Sequence, residues 1–203
     1  MKTLLFHPTG NNFSRALLRG LIERDLLGLF VTSIVVRESS PLIARVPQSL
    51  RGELLRRKFE LPESRLWTWP WRELGRLLAL RLGARALTRN ETGVFSWEAV
   101  FQGLDRFVAR RLTSARERFG VTNVYCYEDA AFHTFQEAQQ LGLRRIYDLP
   151  IAYWETSQRL LHEERERRPD WAVTMPGTRD SQVKLERKTA EIEMADVIEV
   201  KSK

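Results

Sequence analysis

Residues 123–150 read NVYCYEDAAFHTFQEAQQLGLRRIYDLP. A β-rich run, NVYCYE (123–128), leads through a polar step into a helical pattern, AFHTFQEAQQLG (131–142), and then into a second β-rich run, RRIYDLP (144–150). Two strands joined by a helix-length crossover lie parallel, whereas antiparallel neighbours are joined by tight turns. Gly142 is a natural helix stop before the second strand. The same alternation continues on both sides. TLLFH (3–7), LFVTSIVV (29–36), SRLWTWP (64–70) and DVIEV (196–200) read as further strands. In the first intervening helix Leu17, Leu18, Leu21 and Ile22 share one face, with Arg15, Arg19 and Glu23 largely opposite. Residues 95–120 read as one long amphipathic helix ending at Gly120, 153–168 as a helix stopped by Pro169, and 179–195 as a last helix capped by Asp180 or Ser181. Alternating strands and helices predict an α/β fold, a doubly wound, mostly parallel sheet flanked by helices, in one domain spanning 1–203.

Charge is uneven. The net charge is +7, and residues 37–89 alone hold 12 basic side chains (11 Arg and Lys58) against 5 acidic ones. The excess is therefore a local patch, inside a stretch (37–95) that reads as an irregular, basic, Trp/Arg-rich insertion; SSPLIARVPQS (39–49) is a loop by its Pro and Ser content. Trp67, Trp69 and Trp71 among arginines suit a membrane interface or another anionic partner. Their strand-like spacing equally suits ordinary burial, with the arginines in solvent. No nucleic-acid motif accompanies the charge, so nucleic-acid binding is not expected. The single Cys126 excludes an internal disulfide, and its place in an apolar strand makes it a small buried hydrophobe. The longest apolar stretch, LLGLFVTSIVV (26–36), falls short of the roughly 20 residues of a membrane span. His7-Pro8 and Gly10-Asn11-Asn12 interrupt the apolar start too early for a signal peptide. These features predict a cytoplasmic protein, peripheral at the inner membrane face if the basic patch meets lipid.

Ligands of open parallel sheets bind outside the carboxyl ends of the strands. Three polar clusters fall there: HPTGNN (7–12), YED (127–129) and YDLPIAYW (147–154). The helix behind HPTGNN presents amide groups that favour an anion; Gly10 permits close approach, and Asn12 is the expected N-cap. One glycine is too few for a dinucleotide fingerprint, and a P-loop would need Gly-Lys-Ser/Thr. A plain turn with an asparagine cap stays open. Glu128 and Asp129 could bind hydroxyls or serve as a base, or Asp129 could cap the next helix. Asp148 sits on an extended edge because Pro150 biases Leu149 away from helix; a buried salt bridge is its alternative. His7, His133, His162 and Cys126 show no metal-ligand spacing, and there is no Gly-x-Ser-x-Gly nucleophile elbow.

Four stretches carry a resemblance: HPTGNNFSRALLRGLIERDLLGLFVTSI, VYCYEDAAFHTFQEAQQLGLRRIYDLPIAYWET, LLHEERERRPDWA and KLERKTAEIEMADVIEV. In order and spacing the chain resembles the amino-terminal domain of group-one (family four) glycosyltransferases of the GT-B fold. The resemblance implies a Rossmann-like acceptor domain that works across a cleft from a donor domain. It implies sugar transfer from a nucleotide sugar to a saccharide or lipid-linked acceptor, usually with retention of configuration and without a metal. Gly10, Asn11 and Asn12, with Arg15, Tyr153 and Trp154, would then line the substrate side; Asp148, Glu128 and Asp129 would supply the catalytic carboxylates. Family members continue past the strand matching ADVIEV into the donor domain. A chain ending at Lys203 is thus expected to bind no nucleotide sugar alone and to need a donor-domain partner. YEDAA also departs from the family, which has glycine after the acidic pair. The rival expectation is a non-catalytic module that binds an anionic membrane or partner protein through residues 37–89.

Overall fold

The computed structural model describes residues 1–36, 57–174 and 180–200. All six expected strands form: β1 (Thr3–Phe6), β2 (Leu27–Thr32), β3 (Leu66–Thr68), β4 (Asn123–Tyr127), β5 (Arg144–Leu149) and β6 (Val197–Val200). They make one sheet in the order β3-β2-β1-β4-β5-β6, and every pairing is parallel. The three central strands are buried along their whole length, the signature of a sheet covered on both faces. Seven α-helices accompany the sheet among the described residues: α1 (Asn12–Glu23), α2 (Trp71–Arg81), α3 (Trp97–Ala109), α4 (Leu112–Phe119), α5 (Phe132–Gln140), α6 (Trp154–Arg167) and α7 (Gln182–Glu193). None is long and apolar enough to cross a membrane. This is the Rossmann-like doubly wound arrangement.

The apolar pattern of each helix decides its side. Leu17, Leu18, Leu21 and Ile22 of α1 pack on Leu5, Leu27, Phe30, Tyr125 and Tyr127. Leu104 and Val108 of α3, Leu112 and Ala115 of α4, and Phe135 and Ala138 of α5 pack on the opposite face against Leu4, Phe6, Val124, Cys126 and Tyr147. Ile192 and Met194, at the end of α7, join that second face. Each fully buried leucine contributes roughly 2 kcal/mol relative to exposure.

Two expectations change. The helix expected over 95–120 is two, separated at Arg110 and Arg111. Arg111 leaves helical backbone (φ −119°, ψ 5°), and its guanidinium lies 4.2 Å from the Phe107 ring centre. The apolar spacing runs through this break unchanged, so periodicity alone merges the two pieces. Second, within the stretch read as irregular, the strand expected over 64–70 forms at 66–68 and 71–81 is a regular helix; the loop expected over 39–49 lies outside the described residues. Of the two caps expected for α7, Ser181 is the one that forms, accepting the Lys184 amide at 3.3 Å.

The amino end of α5 is held from a distance. Asp105 of α3, buried, accepts the His133 and Thr134 amides at 2.8 Å each, and its backbone carbonyl accepts the Thr134 hydroxyl at 3.2 Å. Asp105→Ala would leave the buried Thr134 amide and the half-buried His133 amide without an acceptor and is expected to cost about 3 kcal/mol. Asp105→Asn keeps one acceptor and should lose about half of that. Urea denaturation measures both; an Asp105→Ala protein as stable as wild type would refute the cap.

Candidate functional site

The strand order reverses direction between β1 and β4, where an open sheet forms its ligand crevice. The β1 end of that crevice is HPTGNN. His7 and Pro8 are tied to the next strand, through His7 N–H to the Val31 carbonyl (3.1 Å) and the Thr32 hydroxyl to the Pro8 carbonyl (3.0 Å). The His7 ring is buried, and its Nδ1 accepts the amides of Thr9 (3.2 Å) and Gly10 (2.9 Å). Nδ1 is therefore unprotonated and the proton sits on Nε2; burial lowers the imidazole to about 4, which keeps it neutral. Two amides that a phosphate would need thus turn inward onto His7. A third, on Ser14, is taken by Asn11 Oδ1 at 2.8 Å. The N-cap is Asn11, not Asn12, which is already the first helical residue; both are exposed at the rim.

Gly10 has φ +63°, and a Cβ on it would lie 2.5 Å from the Phe59 ring. Arg15 braces this contact. Its Nε donates to the Gly10 carbonyl and its Nη1 to the Lys58 carbonyl, both at 2.7 Å, with the guanidinium 4.3 Å from the Phe59 centroid. Arg15, Arg19, Lys58 and Phe59 line a groove of about 420 Å³ along α1, beside Gly10.

At the end of β4 the expected carboxylates separate. Asp148, buried on the α1 side of the sheet, accepts the Tyr125 hydroxyl at 2.9 Å; the same hydroxyl lies 2.6 Å from Glu199. Glu128 and Asp129 turn to the other side, toward α7. Glu128 meets Lys188 at 3.3 Å, and Asp129 meets Arg187 at 3.0 Å and Lys184 at 3.8 Å. Arg187 also bonds Glu98, and Asp180 bonds Lys184 (3.0 Å) and Lys188 (3.3 Å). Asp129 holds a left-handed backbone (φ 70°), and the loop it begins is pinned by Glu191, which accepts the amides of Asp129 (3.0 Å) and Ala131 (3.2 Å) and the Tyr147 hydroxyl (3.1 Å). So Asp129 does not cap α5: Asp105 does, while Glu191 holds the preceding loop. In this cluster Glu98, Glu128, Asp129, Asp180 and Glu191 outnumber Lys184, Arg187 and Lys188. Glu191, wholly buried, lessens the excess from two to one by keeping its proton: burial, reinforced by Asp129, raises it to about 8. Burial also raises Glu98 and Glu128, against the pull of their cations.

Tyr153 and Trp154 both reach Thr189 Oγ1 of α7 at 3.0 Å, so they dock the start of α6 rather than stand free. Trp154 also lines a groove of about 320 Å³ with Gln158, Arg159 and His162. The structure thus brings Gly10, Asn11, Asn12 and Arg15 together at one rim, places Asp148 across the sheet from Glu128 and Asp129, and commits those two to ion pairs. Sequence reading missed the cations of α7 and gave Tyr127 no role beyond its place in YED. Lys184, Arg187, Lys188 and Glu191 recur at helical spacing, which marks one charged face, but charged faces ordinarily meet solvent. Tyr127 is 5% exposed, its ring 5.0 Å from that of His7. Its hydroxyl has no hydrogen-bond partner among the described residues. Burial and the carboxylates of Asp148 and Glu199 raise its pKa, so it stays a neutral donor.

Fold and rim together define the class, an open parallel α/β domain with a polar rim at its topological switch point. No protein-family model, curated protein or solved structure matches the chain significantly.

Proposed function

We propose that this chain is the acceptor-side half of a glycosyltransferase. A donor-binding domain would deliver the nucleotide sugar, and the crevice between β1 and β4 would hold a saccharide or lipid-linked acceptor. The observation that carries this reading is the Tyr127 hydroxyl, buried at the switch point with no partner among the described residues. The hydroxyl is shut off from solvent as the domain stands, and a ligand group that enters beside it would recover the roughly 1–3 kcal/mol that an unpartnered buried hydroxyl costs. A polyhydroxyl ligand suits it, because each sugar hydroxyl both donates and accepts. Beside it Asp148 accepts hydrogen bonds, and Asn11 and Asn12 offer amides at the rim. The groove along α1, where Arg15, Arg19 and Lys58 outweigh Glu60, suits a diphosphate delivered by a donor-binding domain. Within this reading Asp148 is the carboxylate for the acceptor, while Glu128 and Asp129 hold the loop between β4 and α5 in shape.

Tyr127→Phe tests it. Losing a hydroxyl that has no partner should leave stability unchanged or raise it by up to about 1 kcal/mol. The same change should weaken saccharide binding about tenfold, seen as loss of the amide shifts that a saccharide induces at Gly10, Asn11 and Asn12 in NMR titration. Sugar nucleotides should bind the chain alone no more tightly than about 1 mM. Micromolar affinity for a sugar nucleotide, or saccharide shifts that ignore Tyr127→Phe, would overturn the assignment.

A further inference from the structure

Helix α2 is inside out. Its inward face carries Glu73 and Ala79, both buried, together with Arg72 and Arg76. Glu73 forms a buried ion pair with Arg57 at 2.6 Å; Arg72 bonds the Val94 carbonyl; Arg76 stacks 3.8 Å from the Trp97 centroid. Gly75 admits the Phe95 ring, which a Cβ would meet at 2.2 Å. The outward face is apolar. Trp71 is 64% exposed, Leu74 45%, Leu78 59% and Leu82, just past the helix end, 72%. Their spacing of three, four and four residues makes one continuous stripe. A monomer that buried its apolar stripes would turn this helix the other way, since roughly 25 cal/mol per Å² favours covering such a surface.

The charge around the stripe identifies what covers it. Arg81, Arg85 and Arg89 are exposed at and beyond its carboxyl end, and between Leu74 and Asn90 the sequence has no acidic residue. The one carboxylate of the helix, Glu73, which would repel an anionic surface, is turned inward and neutralised by Arg57. A tryptophan at one end, leucines along the face and arginines at the other end match the chemistry of a lipid headgroup boundary: apolar side chains enter the acyl region and guanidinium groups hold phosphates. A protein partner would need acidic groups of its own placed for these arginines; an anionic bilayer supplies them everywhere.

We infer that α2 is a membrane-docking helix that lies in the plane of an anionic lipid surface, with Trp71, Leu74, Leu78 and Leu82 inserted and Arg81, Arg85 and Arg89 on the headgroups. This inference is independent of the sugar-transfer reading. It narrows the broad basic segment of the sequence to one face of one helix.

Vesicle co-sedimentation of the full chain tests it. Wild type should bind vesicles containing about 30% phosphatidylglycerol at least tenfold more tightly than pure phosphatidylcholine vesicles, with the difference shrinking as salt rises. L74S/L78S changes exposed residues only, so it should keep the wild-type melting temperature and lose binding about tenfold or more. R81Q/R85Q should lose about 30-fold on anionic vesicles. Three results would overturn the inference: no vesicle binding by wild type, equal binding by L74S/L78S, or a wild-type dimer in solution that L74S/L78S converts to monomer, which would assign the stripe to a second copy of the chain.

Discussion

Glu191→Gln is expected to remove the fall in stability that the wild-type protein shows as pH rises from about 6.5 to 8. In the folded protein Glu191 titrates near 8, against an ordinary value of 4.5. Between those values the unfolded chain has released this proton and the folded chain has not, so stability falls with rising pH. The slope reaches about 1.4 kcal/mol per pH unit and ends once pH passes the folded value. His7 works in the opposite sense. Its folded value of about 4 lies below the ordinary 6.5, so its contribution is complete above 6.5 and is lost as pH falls toward 4. The two slopes oppose each other between 4.5 and 6.5; above 6.5 that of Glu191 is left without the His7 opposition. Glutamine keeps an oxygen for Asp129 N–H and Tyr147 but presents an NH₂ to the Ala131 amide. It should therefore cost about 1–2 kcal/mol near pH 6 and converge with wild type toward pH 8. Glu191→Ala leaves all three donors without an acceptor and should cost about 3 kcal/mol or more. Melts across this range decide the matter; parallel curves for wild type and Glu191→Gln would show that Glu191 is ionised throughout.

Gly10→Ala should cost about 3 kcal/mol. Two penalties combine there. The left-handed backbone at φ +63° disfavours any side chain, and the new Cβ would fall 2.5 Å from the Phe59 ring. That ring cannot simply swing away, since Phe30 packs on one part of it (centroids 4.9 Å apart) and the Arg15 guanidinium on another. The strain would spread to the rim, because Arg15 also holds the Gly10 carbonyl. Phe59→Leu in the Gly10→Ala background should recover the clash and not the backbone strain, giving a coupling energy of about 1 kcal/mol or more in a double-mutant cycle. A Gly10→Ala protein that melts with wild type would show that the loop has another conformation.

The alternation that opens at Asn123 carried the fold. Six runs of β-rich sequence, separated by helical periodicity, became six parallel strands, because short apolar runs and amphipathic stripes are local signals. Gly120 and Gly142 ended their helices with positive φ, also a local matter. The site was legible in a weaker sense. The carboxyl ends of β1, β4 and β5 were locatable, and Gly10, Asn11 and Asn12 do share a rim. Which carboxylates are paired was not legible. The partners of Glu128 and Asp129 lie on α7, some sixty residues along the chain, and nothing in YED points to Arg187 or Lys188. The tryptophans divided for a similar reason. Trp67 and Trp69 pack on Phe119 and Phe107, while Trp71 begins a helix and stays exposed.

By itself, then, the sequence determined which segments are strands and helices, that the sheet is parallel, and where along the chain its polar edge falls. The tertiary structure alone decided direction: that the charged face of α7 turns inward over Glu128 and Asp129, that the apolar face of α2 turns outward, and that His7 draws the loop amides away from a phosphate. The physical reason is that periodicity records the spacing of side chains along an element. Which face meets the core depends on the charges and volumes that distant segments bring to it, as Arg57 does for Glu73 and Glu98 for Arg187.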